Sequence, residues 1–188
     1  RERKMNIMLV NYRHPSSRPY RSIMHLPRER AFEIADQLYK SSQCRAHKRF
    51  GPDFEFYYAY RLQVEQALYN EFMELGGKPQ LKHPFYFVLE YCDAFYENFD
   101  HGVCVKLPLN EIDPFDISFT FGDSMAQFES DDRQPVFLVD TLYSYIKNYN
   151  QDIRLFLNKI IPKYKCIEAQ LWTNKYFPCE SRDSNESQ

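Results

Sequence analysis

The chain has 188 residues, 44% of them hydrophobic, with 24 Lys or Arg against 26 Asp or Glu. That length fits one domain with a sizeable core, and the composition excludes a collagen-like, low-complexity or disulfide-scaffold protein. No apolar run approaches the ~18–20 residues of a membrane helix and no signal-peptide pattern is present, so a cytoplasmic protein without a membrane partner is expected.

In chain order, Met5 to Tyr12 (MNIMLVNY) reads as a first strand, stopped by the turn segment Pro15-Ser16-Ser17-Arg18-Pro19. A helix follows, with Pro27 in its first turn, where no amide donor is needed, and Ala31, Ile34, Ala35 and Leu38 on one stripe. Ser41 to Gly51 is a polar, basic loop. From Asp53 to Leu75, the residues Tyr57, Tyr60, Val64, Leu68, Phe72 and Leu75 recur every three or four positions, predicting one helix of about 23 residues and ~34 Å. Gly76-Gly77 and Pro79 stop it.

Beyond His83 the pattern becomes period two or solidly apolar, predicting strands at Phe85–Glu90, Val103–Leu107 and Phe115–Phe121. Turn formers at Asn98–Gly102 and Asn110–Pro114 separate them, and such short connections predict antiparallel neighbours. Two helices come next. Asp140 or Thr141 caps the first, with Leu142, Tyr145, Ile146 and Tyr149 inward; Asn150 caps the second, with Ile153, Phe156, Leu157, Ile160 and Ile161 inward and Pro162 ending it. A last strand runs from Lys165 to Trp172, and residues 180–188 have nothing to bury and are expected to be mobile. Residues 1–179 thus read as a single α+β domain, with a mixed or mainly antiparallel sheet of about five strands packed against one long central helix and further helices.

Three polar groupings interrupt these elements. In ISFTFGDS, residues 117–124, alternation sends Ile117, Phe119 and Phe121 to the core and Ser118 and Thr120 to solvent or a cleft, while Gly122-Asp123-Ser124 presents a carboxylate and a hydroxyl at the strand end. No G-x-S-x-G elbow precedes Ser124, which argues against a serine hydrolase. Tyr12-Arg13-His14 ends the first strand with a phosphate-matching guanidinium and an imidazole able to hold a hydroxyl or move a proton. Glu168 and Gln170 share one face of the last strand, where they either meet solvent or sit partly desolvated with a raised carboxyl pKa.

In this order Arg13, Ser118-Phe119-Thr120 and Glu168 resemble the layout of ADP-ribosyltransferases of the Arg, Ser, Glu type, whose three motifs line a nicotinamide dinucleotide cleft. The resemblance implies NAD as cofactor, Arg13 on its pyrophosphate or ribose, Ser118 ordering the cleft, and Glu168 stabilising an oxocarbenium-like ribose and bonding its hydroxyl. Two positions depart from the pattern. Phe119 stands where that family has a polar residue, and Gln170 follows Glu168 where the catalytic glutamate would come last.

Charge is unevenly spread: residues 1–49 carry 12 Lys or Arg against 4 Asp or Glu, and residues 50–188 carry 12 against 22. Either the halves neutralise each other within the fold or the basic part gathers as a phosphate-attracting patch. In the basic loop, Arg45, His47, Lys48 and Arg49 lie beside Phe50, and the helix periodicity leaves Tyr58 and Arg61 over; cations beside rings can contact phosphate and stack a base. The five histidines lack H-x-x-x-H spacing and the five cysteines lack C-x-x-C spacing, so neither a metal site nor a disulfide framework is signalled, and reduced, mostly buried thiols are expected. The expected function is binding of a phosphate-bearing or acidic partner, whether nucleotide, nucleic acid or acidic protein, through the basic N-terminal quarter. A nucleotide-using transferase and a protein interaction module presenting aromatics on Asp140–Ile161 are the alternatives.

Overall fold

In the computed structural model, which describes residues 5–102 and 104–182, the order is β1 (Met8–Asn11), α1 (Arg28–Ser41), α2 (Phe54–Glu74), β2 (Phe85–Leu89), α3 (Asp93–Asn98), β3 (Val105–Pro108), β4 (Ile117–Phe121), α4 (Ser124–Gln127), α5 (Val139–Lys147), α6 (Ile153–Tyr164), β5 (Ile167–Leu171) and α7 (Cys179–Arg182). The strands form one sheet ordered β3-β1-β2-β5-β4, antiparallel throughout, so the fold is α+β. Among the described residues no helix is long and apolar enough to cross a membrane. Val103 of the predicted third strand and residues 183–188 of the predicted tail lie outside the described residues.

Strand order departs from the neighbour rule. The sequential strands β2 and β3 are separated by β1, and β3 and β4 occupy opposite edges. Leu9 and Val10 of β1 and all of β5 are buried in interior positions, and the half-exposed β3 takes one edge; the other edge strand, β4, is also buried and bridges Phe137 through Phe119.

One face of the sheet is wholly apolar. Leu9, Phe87, Phe119, Ile167 and Ala169 pack there against Leu142 and Ile146 of α5 and Phe156 and Leu157 of α6. The opposite face is mixed. Val64, Leu68 and Phe72 of α2 cover Trp172 there, with the Phe72 and Trp172 rings stacked at 5.6 Å, while α1 packs with the first turns of α2 through Ala31, Ala35, Phe54 and Tyr58.

Several local expectations are corrected. α2 buries Tyr58, Arg61 and Glu65 and leaves Leu75 exposed, because an ion pair is accommodated on the covered face beside the apolar stripe. Pro27 is the N-cap of α1, one position earlier than expected, and the basic loop winds into a 3₁₀ segment at Arg45–Phe50. Leu138, not Asp140 or Thr141, caps α5, and Asp152, not Asn150, caps α6 by accepting from the Arg154 and Leu155 amides. Pro162 does not end α6, which runs on to Tyr164; so near the C-terminus a proline removes only one helix bond. Cys44, Cys92 and Cys166 are buried free thiols, Cys104 is half-buried and Cys179 is exposed.

One close backbone approach fixes the exit of β1. At Gly102 an added Cβ would lie 1.5 Å from the Arg13 carbonyl oxygen, so only glycine lets the two segments touch. Gly102→Ala is therefore expected to lower stability by about 1–3 kcal/mol, the range for forcing atoms into a packed position, as read by urea unfolding.

Candidate functional site

Between the mixed face of the sheet and the layer made by α1, the 3₁₀ segment and α2 lies a cavity of about 620 Å³. Its floor is Val10, Val88 and Glu168; Arg13 and the segment after it form one wall, and Ile34, Leu38, Phe50 and Tyr57 form the roof. Of the residues singled out from sequence, Tyr12, Arg13, His47, Arg49, Arg61, Asp123 and Glu168 line it. His14, Arg45, Lys48, Ser118, Thr120 and Gln170 do not. Arg45 and Lys48 are exposed, and His14 is held by Ser16 at 2.6 Å and by Asp100 at 3.6 Å.

Ser118 and Thr120 meet neither solvent nor a cleft. Ser118 is 0% exposed and belongs to a chain of hydrogen bonds beneath α2. The Trp172 indole N–H donates to Ser118 Oγ at 2.9 Å, and Ser118 donates to Gln170 Oε1 at 2.8 Å. Gln170 Nε2 then donates to Thr120 Oγ1 at 2.9 Å and to Glu168 Oε1 at 3.0 Å. The Ser124 amide adds a second donor to Glu168 Oε1 at 3.3 Å. Glu168, 4% exposed, is thus clamped at one carboxyl oxygen. Burial, reinforced by the negative Asp123 nearby, pushes its pKa up to about 8, against the hydrogen bonds from Ser124 and Gln170.

Arginines dominate the rest of the cavity. Arg30 and Arg61 are neutralised, each 2.8 Å from a carboxylate, Glu33 and Glu65 respectively. Arg61 is further fixed by Tyr57, and Glu65 by His83 at 2.5 Å and Tyr86 at 3.0 Å. Burial alone would raise the Glu65 carboxyl, but the His83 hydrogen bond and the Arg61 guanidinium hold it below its ordinary value. Among the described residues no carboxylate lies within 4 Å of Arg13, Arg18, Arg21 or Arg49, all of which line the cavity. Arg49 lies over the rings of Phe50, Tyr57 and Phe99 at 4.9, 5.6 and 5.8 Å.

No known protein family, curated protein or solved structure matches this chain. The site must therefore be read from its own chemistry. Among the described residues, the buried side-chain polar atoms without a hydrogen-bond partner are Arg13 Nε and Nη2, His47 Nδ1 and Ser124 Oγ. Two of these three residues line the cavity. Burial lowers the pKa of Arg13, and burial together with Arg49 and His14 lowers that of His47; the Tyr20 ring, 5.9 Å from the Arg13 guanidinium carbon, and Asp100 near His47 offset this only in part. Among the described residues no group of three or more His, Cys, Asp or Glu is placed to hold a metal ion.

In the sequence Arg18 and Arg21 count only among the 12 Lys or Arg of residues 1–49, and Trp172 only as the end of the last strand. The proline-flanked spacing of the two arginines was the available signal. The Trp172 hydrogen bond had none, since it depends on which strands become neighbours.

The clamped carboxyl has a measurable consequence. Because Glu168 stays protonated in the fold up to about pH 8 but ionises near 4.5 when unfolded, the folded state binds the extra proton between these values and stability falls as pH rises through that window. Glu168→Gln is expected to flatten this part of the stability-against-pH curve and to stabilise the protein near pH 8 by on the order of a few kcal/mol, as followed by urea unfolding from pH 5 to 9.

Proposed function

We propose that the protein binds a small phosphate-bearing molecule in the cavity, with the arginines of the N-terminal quarter as its anion receptor. The single observation that carries this reading is Arg13. The residue is 7% exposed, two of its guanidinium nitrogens are buried without partners, and it lines the cavity. An uncompensated buried charge costs several kcal/mol, and phosphate oxygens match the planar guanidinium fork. Arg18, Arg21 and Arg49 add positive charge at the same cavity, whose volume of about 620 Å³ falls in the usual range for small-molecule sites. A polynucleotide partner would instead draw on the exposed Arg45 and Lys48, leaving the strain at Arg13 unexplained.

Inorganic pyrophosphate is the probe. It should raise the melting temperature of the protein in a concentration-dependent way, and no shift up to millimolar concentration would end the proposal. Arg13→Met should raise the melting temperature of the free protein, by replacing an unpaired buried charge with an apolar chain, and remove the pyrophosphate shift. A structural arginine would give the opposite sign in the free protein.

A second reading, NAD-dependent transfer, is favoured by one observation: Arg13 and Glu168 border the same cavity. Ser118 differs from the role the resemblance gives it, since it is buried and bound to Trp172 and Gln170. Under this reading wild-type protein releases nicotinamide from NAD, and Glu168→Ala abolishes the release while the melting transition stays cooperative. Chromatography of the reaction mixture decides it, and an inactive wild type removes this reading alone.

A further inference from the structure

We infer that the occupant is a nucleoside diphosphate lying lengthwise in the cavity, its phosphates among the N-terminal arginines and a hydrogen-bond acceptor of its base on Glu168 Oε2. This rests on the phosphate-binding reading above and adds what the far end of the ligand must be.

The two N–H bonds that reach Glu168 Oε1 run in one direction. The Trp172 indole nitrogen only donates, so Ser118 accepts from it and sends its own proton to Gln170 Oε1, which orients the Gln170 amide with Nε2 toward Thr120 and Glu168. Glu168 Oε1 accordingly receives two N–H groups, from Gln170 and from the Ser124 backbone. With Oε1 taken up by these two donors, the proton of the neutral acid is assigned to Oε2, on a side chain that lines the cavity. A protonated carboxyl turned into a cavity is a hydrogen-bond donor, and it selects an uncharged acceptor such as a base carbonyl or ring nitrogen.

The titratable and charged groups around Glu168 agree with a neutral acid. Asp123, after β4, and Cys166, just before β5, contribute no positive charge, and Tyr86 of β2 has its hydroxyl on Glu65. The cation on that side, Arg61 of α2, lies over the Tyr86 ring at 5.3 Å and is already paired with Glu65.

The two ends of the cavity are the right distance apart. Val10, Val88 and Glu168 lie in one cross-strand row, since Val10 pairs with Val88 and Val88 with Glu168. Two strand spacings and the three residues from Val10 to Arg13 put the Arg13 and Glu168 backbones on the order of 10–14 Å apart. A phosphate alone cannot reach both ends, whereas an extended nucleoside diphosphate can. Phe50 and Tyr57 line the same cavity and give a planar base rings to pack against.

Titration calorimetry at pH 7 with pyrophosphate, ADP, GDP, CDP and UDP tests the inference. At least one nucleotide should bind about ten-fold or more tighter than pyrophosphate, the value of one well-made hydrogen bond plus ring contact. That preference, taken as a ratio within each protein, should disappear in Glu168→Ala, persist in Glu168→Gln, whose amide still donates, and decline in the wild type as pH is raised past about 8. If pyrophosphate binds and none of the four nucleotides exceeds it, or if the wild-type preference is unchanged up to about pH 9, the inference is overturned while the phosphate reading stands. Should Glu168→Ala fail to fold, the wild-type pH series alone decides. Failure of pyrophosphate itself to bind overturns both.

Discussion

The feature on which the rest depends is the hydrogen-bond chain that runs from Trp172 through Ser118 and Gln170 to Glu168. Strands β4 and β5 are covered on both faces, yet one face carries Ser118, Thr120, Glu168 and Gln170. Four polar side chains can be buried under a helix only if each finds a partner, because each unsatisfied group would cost about 1–3 kcal/mol. Here they satisfy one another across the β4–β5 register, in which Ser118 lies opposite Gln170 and Thr120 opposite Glu168. A slip of one residue would turn them into the apolar layer under α5 and α6. The polar face therefore pins the register as firmly as the apolar face does.

Two buried arginines on the same cavity show two solutions to one problem. Arg61 is compensated within the fold, by Glu65 and Tyr57, with His83 and Tyr86 holding the carboxylate in turn. Arg13 has the Tyr20 ring at 5.9 Å, but among the described residues no hydrogen-bond partner meets its buried Nε and Nη2. If stability alone shaped the site, the second arginine would be an apolar residue or would have its own carboxylate. The difference between them separates an arginine tied into the fold by a carboxylate from one that the fold leaves without such a partner. Gly102 lies pressed against the Arg13 carbonyl, an approach that a larger residue would not permit.

The charge imbalance between the two parts of the chain is little relieved by ion pairs between them. Arg28 pairs across the boundary with Glu55, whereas Arg30 with Glu33 and Lys40 with Asp36 pair within the first 49 residues. Arg13, Arg18, Arg21 and Arg49 instead converge on a concave surface, where low-dielectric walls strengthen their combined field. Arg49 is exposed, and the aromatic rings beside it hold its guanidinium at the cavity without cancelling its charge.

Much of the architecture was legible from local pattern. Alternation in ISFTF and in the last strand assigned their faces correctly, because strand side chains alternate whatever the fold. The three- and four-residue spacing of Val64, Leu68 and Phe72 marked the covered side of α2. Arg13, Arg49, Asp123 and Glu168 were recognisable as residue types suited to a charged ligand. Tertiary structure alone decided that Ser118 and Gln170 support the site from behind, that Arg45 and Lys48 stay outside it, and that Arg61 is paired while Arg13 is not. Strand order, burial and pairing depend on contacts between residues such as Ser118 and Trp172, 54 positions apart, and hydrophobic spacing along a chain carries no information about which distant donor meets which acceptor.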